Sequence, residues 1–169
     1  QNIQLLLDAA KKMIDCKNVV FLLVGGGRQF NLFKQFAKNN NLNNVIFTGI
    51  VDKNEVSSYY KAIDLAVIPD CAHHMYPVKY LEYAQYNLPI VIPRYIVFKE
   101  FFENDESYEK MSFIPKDSFS LLLTLNKVLD QKSKLYENSF FTSNYVKENK
   151  TWDNSGEKLQ KIIIKTINR

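Results

Sequence analysis

The sequence is short of the residues that build special-purpose scaffolds. Its 169 residues hold two cysteines (Cys16 and Cys71), two histidines and one tryptophan. Two thiols do not make a disulfide framework, so the fold must rest on a hydrophobic core. Glycine and proline number five each, which excludes collagen-like and low-complexity chains. No apolar run approaches the ~20 residues of a membrane-spanning helix. The opening Gln1-Asn2-Ile3 has the pattern of neither a signal nor a transit peptide. Charge of one sign is scarce too: 22 Lys+Arg against 18 Asp+Glu give +4. That permits an acidic partner without demanding one. The lysines are scattered and belong to no nucleic-acid-binding motif. What is present is apolar bulk, 46% of residues, too much for a disordered chain. The length suits one domain of the usual ~100–200 residues, expected here over 1–169.

Helix and strand patterns alternate along that domain. Ile3, Leu6, Leu7, Ala10, Met13 and Ile14 recur at helical spacing. They start abruptly, with no N-cap residue or strand ahead of them, which predicts a piece of something longer. The β-branched and aromatic run at 19–24 has the pattern of a strand buried on both faces, and it ends at Gly25-Gly26-Gly27. Leu32, Phe33, Phe36 and Ala37 mark a helix, and 39–44 a polar turn. A second strand at 45–48 stops at Gly49. Asp52-Lys53-Asn54-Glu55 reads as a capping box, with Val51 and Val56 placed to staple across it, opening a helix to about Ala62. A third strand, 65–68, closes at Pro69, and Pro77 suits the first turn of a helix reaching about Tyr86. A fourth, 90–92, closes at Pro93. Phe98, Phe101 and Phe102 suggest a short helix before an acidic turn, and 112–114 a last short strand. Three amphipathic helices follow, around 119–129, 135–147 and 159–167. Such alternation predicts right-handed βαβ units on a parallel sheet. The fold class is α/β, a Rossmann-like three-layer domain, with function at the carboxyl ends of its strands.

Two segments could carry chemistry. Glycines after the first strand let a backbone approach a phosphate or sugar, and the helix behind them offers its N-terminus, with Arg28 at its head. A dinucleotide fingerprint needs a third glycine where Phe30 stands and an acidic residue after the next strand, which ends Thr48-Gly49. A plain tight turn therefore competes with any ligand role. In the second segment, Lys79 and Glu82 stand three apart at a helix start. Free amides and the lysine could meet a diphosphate, and the carboxylate could accept from ribose hydroxyls. An ordinary i,i+3 salt bridge explains the same spacing. Adjacent His73 and His74 lack the spacing that converges on one metal ion, and no metal or cofactor is expected. Cys71 beside a histidine has no established nucleophile signature.

The order of these motifs resembles the C-terminal, nucleotide-sugar-binding domain of a GT-B glycosyltransferase of the GT4 (group 1) family. The run from Val20 to Gly27 is similar to the family's strand and glycine turn, and Asn44-Val45-Ile46-Phe47-Thr48-Gly49 to its next strand. The stretch from Tyr59 to Pro69, with Ala62, Asp64 and Val67, is similar to its Tyr-x-x-Ala-Asp segment. Pro77-Val78-Lys79-Tyr80-Leu81-Glu82-Tyr83-Ala84, then Leu88-Pro89-Ile90-Val91, resembles its Pro-x-Lys-x-x-Glu-Tyr donor-site helix. Thr151-Trp152 is similar to its closing pair.

The resemblance implies donor-site roles. Glu82 would hold the ribose hydroxyls, the amides near Val78 and Lys79 would meet the diphosphate at the helix start, and Tyr76 and His74 would belong to the same donor site. Gly49 and Val51 would lie beside the base, and Gly25, Gly26, Gly27 and Arg28 would line the cleft. The family's first glutamate falls at His74, and its glycine pair after the fourth strand is replaced by bulky residues at 94–97. The donor would be a UDP- or GDP-linked sugar, and the acceptor a glycan or lipid-linked saccharide of bacterial surface polysaccharide synthesis. The acceptor domain, the first strand of this domain and its Arg/Lys pair would lie outside the chain, so no catalytic residue is assigned and the fragment alone is expected to be inactive. The parent would be cytoplasmic or peripheral at the inner membrane face. Alternatives are a degenerate, non-catalytic GT-B module and a GT-B sugar-nucleotide epimerase.

Overall fold

A computed structural model describes residues 2–74, 78–131 and 135–167, the side chains of 135, 137 and 138 excepted. In chain order the elements are α1 (Ile3–Lys12), β1 (Phe21–Val24), α2 (Phe30–Asn39), β2 (Val45–Gly49), α3 (Val56–Ala62), β3 (Ala66–Val67) and α4 (Val78–Gln85). There follow β4 (Ile90–Pro93), a 3-10 segment (Ile96–Phe101), α5 (Asp105–Met111), β5 (Ser112–Phe113), α6 (Ser118–Asp130), α7 (Leu135–Asn149) and α8 (Trp152–Ile167).

The named strands pair in parallel, β1 with β2, β3 with β4 and β4 with β5. The expected single sheet is, however, in two pieces, ordered β1-β2 and β3-β4-β5. On β4, Val91 packs with Phe113, Leu121 and Leu5, while Ile90 and Ile92 pack with Tyr80, Phe98 and Phe101. Alternate side chains point to opposite faces of a strand. This strand is therefore covered by α1 and α6 on one face and by α4 and the 3-10 segment on the other. That is the three-layer arrangement the alternation predicted.

Burial on both faces holds for β4, all four residues of which are buried. It does not hold for β1, where Val24 is exposed, as is Ile46 of β2, the partner of Leu22. The reason is the break in the sheet. Phe21, Leu22 and Leu23 of β1 face Leu65, Ala66 and Val67 across an apolar cavity of about 470 Å³, which Leu6, Leu125 and Leu129 help to line. Phe21 and Gly25 donate their amides toward β2, and Ala66 and Ile68 toward β4. Strand geometry then aims the intervening amides of Leu22, Val24 and Val67 into this gap.

Local signals need small corrections. Glu55 accepts from the Asp52 amide as a capping box requires, but Asp52 accepts from Asn54, and α3 opens at Val56. The pair makes an Asx turn ahead of the helix. The acidic residues expected in a turn form the first turn of α5, behind an Asn104–Ser107 capping box. They suit that place because carboxylates favour a helix N-terminus. In the polar turn, Asn44 is buried and donates to the carbonyls of Ala10 and Met13, closing the end of α1. The terminal stripe of α8 buries nothing: Trp152, Leu159, Ile162, Ile163 and Ile167 are all exposed.

Candidate functional site

Three strand ends converge on one cavity of about 790 Å³. After β1 the chain turns through Gly25, Gly26 and Gly27. Gly25 has φ +115° and donates its amide to the Gly49 carbonyl at 3.0 Å and to the Thr48 hydroxyl at 3.2 Å. Gly49 itself has φ +74°. Two adjacent strand ends thus cross over in backbone conformations that favour glycine. A Cβ on Gly26 would stand 2.7 Å from Ile50 Cγ1, so a side chain there would make the exposed Ile50 turn aside. From β2 come Ile50 and Val51, from β3 Pro69, and from the start of α4 Lys79. This crevice outside the carboxyl ends of parallel strands is where α/β folds place ligands.

Gly25, Gly26, Gly27, Arg28, Val51 and Lys79 all line this cavity, with Tyr59, Tyr60 and Tyr83. Glu82 stands beside them, bonded to two of the lining residues. Its Oε2 accepts from Lys79 Nζ at 2.7 Å and from the Tyr60 hydroxyl, also at 2.7 Å. Lys79 Nζ donates in addition to the Tyr60 oxygen at 3.3 Å. Burial first, and then the bond to Glu82, push the Tyr60 phenol well above its ordinary pKa, so it remains a donor at neutral pH. Tyr83 is pushed up to about 12, chiefly by burial.

Other expected members lie apart. Gly49 supports the turn through its backbone, and Val78 is exposed and off the cavity wall. His74 packs edge-on against His73, ring centroids 5.0 Å apart. Tyr76 lies outside the described residues. His73 faces a neighbouring cavity of about 310 Å³, shared with Asp70, Cys71, Tyr95 and Lys116. There the Tyr95 hydroxyl donates to Asp70 Oδ1 at 3.1 Å, so a bulky residue expected at 94–97 is tied to the loop after β3. Arg94 turns instead to Glu109 and Ser112. Burial first, and then the Asp70 carboxylate, push the Cys71 thiol up, which disfavours the thiolate a nucleophile needs. Among the described residues no cluster of three or more His, Cys, Asp or Glu could hold a metal ion. No helix there is long and apolar enough to cross a membrane.

Tyr60 is the residue the sequence reading missed. The capping box at 52–55 placed it on a helix, and only the approach of α3 to α4 gives it a role. Aromatic rings on either side, Tyr83 at 5.5 Å and Tyr86 at 5.0 Å, hold it there.

Solved structures share this fold at low identity. The catalytic domain of a cholesterol-alpha-glucosyltransferase from Helicobacter pylori is 19% identical with a TM-score of 0.71, over 87% of this chain and 90% of that one. The C-terminal domain of a glycosyl transferase group 1 family protein from Francisella tularensis is 20% identical with a TM-score of 0.72, over 88% and 79%. Sucrose-phosphate synthase from Thermosynechococcus elongatus is 17% identical with a TM-score of 0.76, over 97% of this chain but 42% of that one. These likenesses give the fold, the Rossmann-like C-terminal domain of a GT-B protein. No curated protein matches the sequence. A family model does, described as glycosyl transferases group 1 and spanning residues 1–131. With that span, more than half of the chain, matched, the chain belongs to the group 1 glycosyltransferases.

Proposed function

We propose that this domain holds the donor of a glycosyltransferase, a sugar carried on a nucleoside diphosphate. One observation carries the reading: the glycine turn, the loop after β2 and the Lys79 end of α4 open onto a single cavity. The first-turn amides of α4 and the Lys79 ammonium attract the diphosphate. Glu82 accepts from the ribose hydroxyls, and Ile50 and Val51 flank the base. Arg28 stands at the same wall for a phosphate. In transfer, charge grows on the departing diphosphate, and fixed donors there stabilise it without a metal. The acceptor, on the family resemblance a glycan or lipid-linked saccharide of a bacterial surface polysaccharide, falls to a second domain. This chain alone then binds nucleotide and transfers nothing. Calorimetric titration with UDP and GDP is expected to show weak, saturable binding of one of them. No heat with either up to several millimolar would sink the assignment.

A non-catalytic module is the second reading. It is favoured by His74, paired with His73 where the resemblance places a glutamate. Activity of the full-length parent against a panel of sugar nucleotides separates the two, since a module transfers none of them.

The reading extends to the break in the sheet. A parallel strand ahead of α1, entering between β1 and β3, gives α1 the right-handed crossover of a βαβ unit. It also supplies partners for the amides of Leu22, Val24 and Val67. In a chain lengthened upstream through that strand, those amides are expected to exchange much more slowly with deuterium, and the melting temperature to rise. Unchanged exchange at all three would refute the strand.

A further inference from the structure

We propose that Tyr60 is a positioning residue that sets the Glu82 carboxylate for a ribose diol, by sharing Oε2 with Lys79 and leaving Oε1 to the ligand. This rests on the nucleotide-binding reading above and adds a residue to it. The three groups form a closed triangle. Tyr60 has one hydroxyl proton and gives it to Oε2, while its oxygen accepts from Lys79, whose ammonium also reaches Oε2. A carboxylate offers about four acceptor positions over two oxygens. Both protein donors converge on one oxygen, and no described residue donates to the other. The side chain keeps 41% of its surface exposed, so Oε1 remains open to a ligand.

A lysine three residues away would not fix this geometry alone, because exposed pairs of long side chains reorient freely. Tyr60 does, for two reasons. It comes from a different helix, 22 residues earlier in the chain. Its ring is also wedged between Tyr83 and Tyr86, at interplanar angles of 84° and 57°. A short carboxylate bonded to a clamped phenol has few rotamers left. Tyr60 and Lys79 both line the large cavity, and the carboxylate they hold stands beside that lining. The ligand feature this arrangement selects is a neutral pair of vicinal hydroxyls within reach of a diphosphate.

The test compares UDP, 2′-deoxy-UDP and inorganic pyrophosphate on the chain as it stands, by calorimetry, with Tyr60→Phe and Lys79→Gln beside it. In the unaltered protein, loss of the 2′-hydroxyl is expected to weaken binding about tenfold or more, as for a hydrogen bond to a charged group. Tyr60→Phe keeps the ring and its packing. It is expected to shrink the deoxy penalty to about threefold or less while pyrophosphate binds as before. Lys79→Gln is expected to weaken all three ligands, pyrophosphate included. A Tyr60→Phe protein with the full deoxy penalty overturns the proposal while leaving the nucleotide site standing. So does an equal loss for all three ligands in that variant, or an unaltered protein that binds UDP and its deoxy form alike. If GDP is the diphosphate that binds, GDP and 2′-deoxy-GDP take the place of UDP and its deoxy form; absence of both UDP and GDP binding to the unaltered protein overturns the nucleotide reading and this proposal together.

Discussion

Truncating Phe113 to alanine is expected to destabilise the fold by about 3–5 kcal/mol. Phe113 is fully buried, although its strand is two residues long. It packs among Leu5 and Ala9 of α1, Met13 just after that helix, Val91 of β4, and Leu121 and Leu125 of α6. Its carbonyl also accepts from the Arg94 amide at 2.8 Å, which closes the edge of the sheet. Removing the ring leaves a cavity where three elements meet, and tightly packed surroundings collapse only in part around such a void. Against a typical total of about 5–15 kcal/mol, that loss threatens the folded state itself. Phe119 makes the control. It is 64% exposed at the first turn of α6, and its truncation is expected to stay within about 0.5 kcal/mol. Urea melts of the two variants decide the matter. Equal effects would mean that the core is not where the packing puts it.

Replacing Glu82 is expected to act on binding and to leave stability nearly unchanged. Both members of the Lys79–Glu82 pair are more than two-fifths exposed, and exposed pairs contribute about 0–1 kcal/mol to folding. Bonds from a ligand to a charged group are worth about 1.5–3 kcal/mol each, so Glu82→Ala is expected to weaken UDP binding by about 10–150-fold. Glu82→Gln keeps an acceptor without the charge and is expected to fall between. Pyrophosphate gives the sign that distinguishes this site from a structural effect. Without its carboxylate partner, Lys79 is free to meet an anion, so pyrophosphate affinity is expected to hold or rise as UDP affinity falls. Parallel losses for both ligands, or UDP affinity untouched, would remove Glu82 from the ribose.

Much of the fold could be read in advance because its signals are local. The apolar run at 90–93 became a fully buried strand. The apolar spacing of α1 became a face that buries Leu5, Leu6, Leu7, Ala9 and Ala10. The same kind of evidence misread β1, and found the helix of α8 without saying what its apolar side would meet. A continuous apolar run says that a strand suits the interior, but Val24 is 41% exposed, and among the described residues no strand lies along its second edge. The stripe on α8 likewise says only that the helix has an apolar side. Trp152 is 92% exposed, and no described residue buries it.

The candidate site divides in the same way. The glycines at 25–27 and the pair Lys79–Glu82 were legible because turn chemistry and helical spacing act over a few residues. Tyr60 was not. Its partner lies 22 positions away on another helix, and no periodicity encodes which two helices touch. Nor could spacing show that Tyr95, standing where the resemblance places a glycine pair, would bond Asp70 and occupy the neighbouring cavity.

The amino-acid sequence by itself determined the α/β class, the order of strands and helices, and the family, because each follows from patterns within a few turns of chain. The tertiary structure alone decided that the sheet is parted between β1 and β3, that α8 stands uncovered, and that Tyr60 holds one oxygen of Glu82. Those facts depend on which distant segments meet. Such meetings are set by the packing of whole faces against one another, and no short stretch of residues contains them.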